Sequence, residues 1–166
     1  MNETDEETAR YYAALPRKRM AAGAVCRDGR DRILLVRPTY KATWHVPGGV
    51  VDADESPLAA VRREVTEELG VELAIGRLLV VDWLPPRPPK NEGLMLLFDG
   101  GLVDEQLASR FVVPAAELQE WAFVDRSKVD DLLTPSLARR LRAALEALHS
   151  GETRYLEAGA GIVAPR

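Results

Sequence analysis

The stretch GVVDADESPLAAVRREVTEELGV, Gly49–Val71, decides the fold. Within it, Ser56 and Pro57 form a helix start: a serine hydroxyl caps free backbone N–H groups, and proline fits the first helical position. Gly70 is the matching stop. At about 100° per residue, Leu58, Val61, Val65 and Leu69 line one stripe that faces a core. Glu64, Glu67 and Glu68 fall on a different face at i, i+3 and i+4, where side chains are neighbours and like charges repel. They also sit toward the C-terminal end, where the helix dipole disfavours negative charge. Arg63 is the one local counter-charge. Selection for stability alone does not favour such a cluster.

A divalent cation resolves the conflict, because carboxylate oxygens are the preferred ligands of hard ions such as Mg²⁺ and Mn²⁺. Three glutamates on one rigid helix can hold such ions and leave a carboxylate free as a base. Pro47-Gly48-Gly49, just upstream, lets backbone approach a metal or phosphate closely. From Gly49 to Glu72 seven acids stand against two bases, a net −5, whereas the whole chain of 166 residues carries −4. A chain with that balance is not a general nucleic-acid coat, which needs a basic surface.

Gly49, then Glu55, then Arg63-Glu64-Val65-Thr66-Glu67-Glu68-Leu69-Gly70-Val71 resembles the Nudix box at every defined position. The entry Trp44-His45-Val46-Pro47-Gly48-Gly49 and the strand order from about Met20 to Leu148 are similar to the family's as well. The resemblance implies an α/β fold, an α/β/α sandwich with a mixed central β-sheet, in which the box forms a loop-helix-loop. It implies hydrolysis of a nucleoside diphosphate linked to another group, with Mg²⁺ or Mn²⁺ as cofactor. By position, Glu67 and Glu68 match the principal metal ligands, Glu64 a ligand or the base that activates water, and Arg63 the arginine that orients a glutamate. The Gly49 carbonyl completes the metal shell and Glu55 supports the loop. Many members add an acid from a distant loop; Glu117 is the first candidate here and Glu120 the second.

Outward from the box, residues 1–19 read as a polar arm, partly helical around Thr8–Leu15 and broken at Pro16, 20–157 as a single domain and 158–166 as a C-terminal tail. Met20–Arg27 and Arg32–Arg37 read as strands joined by the turn residues Asp28-Gly29-Arg30-Asp31. Trp44–Pro47 reads as a short strand stopped by its glycines, with a loop over Gly49–Glu55. Leu78–Val81, Leu94–Phe98, Trp121–Val124 and Arg154–Leu156 read as further strands. A second helix opens at Thr134-Pro135, carries Leu137, Leu141, Ala144, Leu145 and Leu148 at helical spacing, and ends at Gly151. Pro85-Pro86-Arg87-Pro88-Pro89-Lys90 reads as a stiff loop.

Substrate choice in this family lies outside the box. Arg37, Arg87 and Lys90 are cations able to pair with phosphate, and Trp44, Trp83 and Tyr40 are aromatics able to stack on a base. Pro85 and Pro86, 14 and 15 residues past Val71, resemble a marker of ADP-ribose pyrophosphatases. The expectation is a pyrophosphohydrolase of the ADP-ribose or nucleotide-sugar type. A nucleoside triphosphate pyrophosphohydrolase that cleans up oxidised nucleotides, and a non-catalytic nucleotide-sensing module, stand as alternatives. The expected partner is a small nucleotide-type diphosphate, not a nucleic acid polymer or a membrane, and the expected state is monomer or homodimer. No apolar run reaches membrane-spanning length, the acidic N-terminus does not read as a secretory signal, and the lone Cys26 forms no internal disulfide. A cytoplasmic setting is expected.

Overall fold

The computed structural model describes residues 3–161. Along the chain the helices are α1 (Glu3–Ala14), α2 (Pro57–Leu69), α3 (Glu105–Ala108), α4 (Val129–Leu132) and α5 (Pro135–Ser150). The strands are β1 (Arg19–Arg27), β2 (Ile33–Pro38), β3 (Gly48–Val50), β4 (Leu78–Leu84), β5 (Gly93–Leu102), β6 (Leu118–Val124), β7 (Arg154–Glu157) and β8 (Ala160–Gly161). A short 3₁₀ turn at Arg126–Lys128 leads into α4.

One mixed sheet runs in the order β6-β2-β1-β5-β4-β7-β8, and β3 also pairs with β1. Strand β1 is the axis of the molecule. It pairs in parallel with β5 along most of its length, and antiparallel with β3 early and with β2 at Arg27↔Ile33. The turn between β1 and β2 forms where its chemistry places it: Asp31 adopts φ +62°, and the Asp28 carboxylate accepts from the Arg30 and Arg32 N–H groups.

The alternation of a strand sorts side chains to two faces. Ala22, Ala24 and Cys26 of β1, with Leu34 and Val36 of β2, pack against Ala60, Val61, Val65 and Leu69 of α2. Val25, Ile33 and Leu35 point the other way, onto Leu137, Ala138, Leu141 and Ala144 of α5. Each such fully buried aliphatic side chain is worth roughly 1.5–3 kcal/mol of transfer free energy. The result is the expected sandwich, with α2 on one face of the sheet and α5 on the other.

Three features differ from the sequence expectation. Trp44–Pro47 is not a strand: only His45 bridges to Val36, and the strand is the next segment, Gly48–Val50, paired antiparallel with Ala21–Gly23. Glycines carry no side-chain alternation, so this strand has no sequence signature. The helix expected around Thr8–Leu15 of the N-terminal arm starts earlier, since α1 occupies Glu3–Ala14, and it is exposed from Thr4 onward; Met1 and Asn2 lie outside the described residues. Pairing also runs past residue 157: β8 returns antiparallel onto β7 as far as Gly161, and residues 162–166 of the tail lie outside the described residues.

Candidate active site

Helix α2 forms as its end residues specify. The Ser56 hydroxyl accepts from the Ala59 N–H at 3.1 Å, Pro57 occupies the first turn, and Gly70 closes the helix in the left-handed conformation. With Val61, Val65 and Leu69 fixed in the core, rotation about the helix axis is set, and Glu64, Glu67 and Glu68 are aimed at the loop that precedes the helix.

That loop begins with β3. Gly48 has φ +136°, and a Cβ there would collide with the Ala22 carbonyl, so only glycine fits against β1. Its N–H is thereby free to donate to the Glu68 carboxylate at 2.8 Å. The Glu64 carboxylate lies so close to the Gly49 backbone that a Cβ at position 49 would overlap it. The two glycines are cradles for two glutamates.

Arg63 joins the remaining acids. Its Nε and Nη2 donate to the two Glu55 oxygens, each at 2.9 Å, in the bidentate geometry that suits a guanidinium. Its Nη1 donates to Glu64 at 3.0 Å and to Glu67 at 3.1 Å, and Nη2 also reaches the Val50 carbonyl at 3.1 Å. Asp52, exposed, stands 3.7 Å from the same guanidinium. The sequence reading gave Arg63 one glutamate to orient; it binds three.

The electrostatics follow from these partners. Burial pushes the Glu68 carboxyl up to about 8, with Glu64, Glu117 and Glu67 adding repulsion against the lowering effect of the Gly48 N–H. Burial also raises Glu64, with Glu67 and Asp52 adding to it while Arg63 opposes. Glu55 is lowered by its hydrogen bonds from Arg63. The face is under-compensated: a single guanidinium serves Glu55, Glu64 and Glu67, and none serves Glu68.

The donor set fits a hard divalent cation by its chemistry, being carboxylate oxygens beside an open glycine backbone. Among the described residues no three His, Cys, Asp or Glu side chains converge on one point to hold an ion. Arg63 holds the Glu64 and Glu67 carboxylates, and the Gly48 N–H holds that of Glu68. A cation would compete with Arg63 for the Glu64 and Glu67 oxygens.

The two distant acids separate clearly. The carbonyl of Glu117 accepts from the Thr39 N–H at 2.9 Å, and its carboxylate is near enough to raise both Glu68 and the Tyr40 hydroxyl. Glu120 instead pairs with Arg37 at 2.8 Å. Tyr40, which is exposed, is raised by partial desolvation and then by Glu68, Glu64 and Glu117, so it stands beside the cluster. A cavity of about 420 Å³ opens there, lined by Arg37, Thr39, Tyr40, Lys41 and Gln119. A second, of about 590 Å³, runs along α2 past Arg63, Thr66 and Glu67.

The other substrate candidates lie apart. The Trp83 indole, in β4, donates to Glu92 at 3.0 Å. Arg87 and Lys90 face each other across the proline loop and line a different cavity with Arg19 and Arg140. Trp44 stands beneath the Arg37 guanidinium at 5.9 Å. Cys26 is buried and its thiol is pushed up to about 12 by that burial and by Asp99, which fits an inert core residue.

Comparison with known proteins agrees with this fold. A MutT-like protein from Streptomyces ambofaciens is 42% identical over 57 residues, 34% of this chain and 36% of that protein. Diphosphoinositol polyphosphate phosphohydrolase 2 from Rattus norvegicus is 44% identical over 64 residues, 38% of this chain and 36% of that protein. The chain thus spans little more than a third of the length of these curated relatives. The crystal structure of an ADP-ribose pyrophosphatase from Streptococcus suis superimposes with TM-score 0.60 at 26% identity, over 85% of this chain and 99% of that one. The family model described as NUDIX domain matches residues 17–147, and the chain belongs to the Nudix family.

Proposed function

We propose that this chain is a hydrolase of phosphorus-containing acid anhydrides. It is a divalent-metal-dependent pyrophosphohydrolase that cleaves the diphosphate bond of a nucleoside diphosphate linked to another group, of the ADP-ribose or nucleotide-sugar type. The observation that carries this reading is the set Glu64, Glu67 and Glu68 on one helix, two of them seated against the Gly48–Gly49 backbone. Mg²⁺ or Mn²⁺ bound there supplies charge neutralisation for the diphosphate and lowers the pKa of an attacking water. Glu67, Glu68 and the Gly49 carbonyl are the residues to hold it. Glu64 serves as a ligand or as the base that takes the proton. Arg63 positions Glu55 and Glu64, and Glu117 adds a carboxylate from the opposite loop.

The ADP-ribose pyrophosphatase likeness over 85% of the chain supports the substrate class. The MutT-like relative favours a second reading, a nucleoside triphosphate pyrophosphohydrolase, built on the same glutamates. Retention of all three box glutamates argues for catalysis over ligand sensing.

A panel of ADP-ribose, nucleotide sugars, diphosphoinositol polyphosphates and nucleoside triphosphates, assayed with Mg²⁺, Mn²⁺ and EDTA, tests the proposal. The expected result is metal-dependent release of AMP and a sugar phosphate. A monophosphate plus pyrophosphate from triphosphates moves the assignment to the second reading. Absence of turnover of every anhydride with both metals refutes the hydrolase assignment.

A further inference from the structure

The cavity at the mouth of the proline loop has a charge opposite to that of the box helix. Arg19, Arg87, Lys90 and Arg140 line about 250 Å³ of space, and no carboxylate joins them in its wall. Ser136, at the second position of α5, also lines it, so the first turn of a 16-residue helix borders the same space. In a chain of net charge −4, four cations surround one small cavity.

The partners of these cations show which charge is already satisfied. The Arg140 Nε is committed to Asp82, a fully buried carboxylate that also accepts from the Gly159 N–H at 2.9 Å. That pair fixes Arg140, which also lines the cavity. Arg19 uses its Nε on the Asn91 carbonyl at 2.9 Å and has no acidic partner among the described residues. Arg87 and Lys90 are tied to each other through their backbones, at 2.9 and 2.8 Å, and their exposed side chains engage no carboxylate among the described residues. Nearby Lys18 is the contrast, being neutralised by Glu92. A surface cation with no task normally has an acid within reach or spreads into solvent. Here three of the four are unneutralised and converge, and the fourth is locked in place from behind.

The geometry points to a phosphate-binding site in this cavity, formed by Arg19, Arg87, Lys90 and Arg140 at the N-terminus of α5. Guanidinium groups match phosphate oxygens in pairs, and lysine adds a point charge. The site is separate from the box glutamates and shares no residue with them. Its existence does not depend on the hydrolase reading.

The probe is inorganic pyrophosphate, titrated calorimetrically into the protein in EDTA. Without metal the glutamate cluster repels an anion, so heat of binding reports on the cationic cavity. The expected result is saturable binding that weakens about tenfold or more in Arg87→Ala/Lys90→Ala, and weakens with salt as counter-ions screen the site. Both substitutions are on an exposed loop, and an unchanged melting curve shows the fold retained. Arg30→Ala, which removes an exposed cation in the turn between β1 and β2, should bind as the parent does. Equal binding by the double variant and the parent, or no saturable binding to the parent at about 10 mM pyrophosphate, a limit near 3 kcal/mol of affinity, overturns the proposal. Where binding is lost, kinetics on ADP-ribose and on a diphosphoinositol polyphosphate identify the source. A raised KM for the phosphate-rich substrate alone assigns the site to a remote phosphate of the substrate. An equal KM for both assigns it to free phosphate.

Discussion

Helices α2 and α5 cover opposite faces of one sheet, and they treat their charges in opposite ways. On α5, Arg140 is matched by the buried Asp82, Arg142 by Asp130 at about 2.6 Å, and Arg139 by the Ala158 carbonyl at 3.1 Å. On α2, Arg63 is divided among Glu55, Glu64 and Glu67, and Glu68 is left to a single backbone N–H. Both helices have the same caps, a hydroxyl before proline at one end and a left-handed glycine at the other. The difference therefore lies in the charges and not in the helices. Those three arginines of α5 find partners within the chain, whereas Glu68 of α2 finds one backbone N–H.

The sharpest way to break this comparison is to neutralise the two glutamates. Glu67→Gln and Glu68→Gln should each lower kcat by on the order of 100-fold or more, the range seen when a positioned catalytic group is lost. Neither should lower the melting temperature in EDTA, because Glu67→Gln removes a charge from a crowded acidic face and Glu68→Gln resembles the protonated carboxyl that burial favours. Near-full activity in both variants sinks the metal assignment. A large loss of stability would mean that α2, like α5, uses its charges to hold the fold.

The mirror experiment is on α5. Asp82→Ala leaves Arg140 buried without its partner, and removal of one member of a buried pair costs about 3–5 kcal/mol. For a domain of this size that lowers the melting temperature on the order of 10 °C. Turnover per folded molecule should be kept, since Asp82 and the glutamates share no contact among the described residues.

Asp82 also shows what the sequence could and could not convey. An aspartate inside Leu78–Leu84, an otherwise apolar strand, is a visible anomaly, but its partner 58 residues away on an amphipathic helix looks like any surface arginine. The box helix was readable to the residue because its caps, stripe and acids lie within one window of local periodicity. Strand β3 was not, because Gly48-Gly49-Val50 has no alternation, and its pairing with Ala21–Gly23 depends on a close backbone approach. Glu117 stood ahead of Glu120 as a candidate, though both lie on one stretch of loop; the ion pair of Glu120 with Arg37 and the repulsion between Glu117 and Glu68 tell them apart. Those are long-range facts, and local pattern does not contain them.

A smaller effect tests the electrostatic side directly. A carboxyl raised on folding, as Glu68 is to about 8, retains a proton that the unfolded chain releases in the ordinary range near 4.5. Its contribution is intact below that range and is lost as pH rises toward 8. In EDTA, parent protein should therefore lose melting temperature relative to Glu68→Gln between about pH 5 and 8. Glu55, held low by Arg63, acts in a lower window and with the opposite sign: its contribution is present above the ordinary range and is lost as pH falls through its lowered value. A difference curve that is flat from pH 5 to 8 would mean that Glu68 is not confined as the structure places it.

The caps give the smallest effect and the cleanest control. Ser56→Ala removes a 3.1 Å bond to the Ala59 N–H and should cost about 1 kcal/mol. Thr134→Ala removes a longer one, 3.4 Å to the Leu137 N–H, and should cost less. Both losses belong to helix formation and not to charge, so Mg²⁺ or Mn²⁺ should raise the melting temperature of each cap variant by as much as it raises the parent's, as independent sites add. Glu68→Gln should lose most of that increment. If Ser56→Ala loses it as well while Thr134→Ala does not, then the start of α2 moves when the cation binds, and the helix is part of the binding event and not a fixed platform for it.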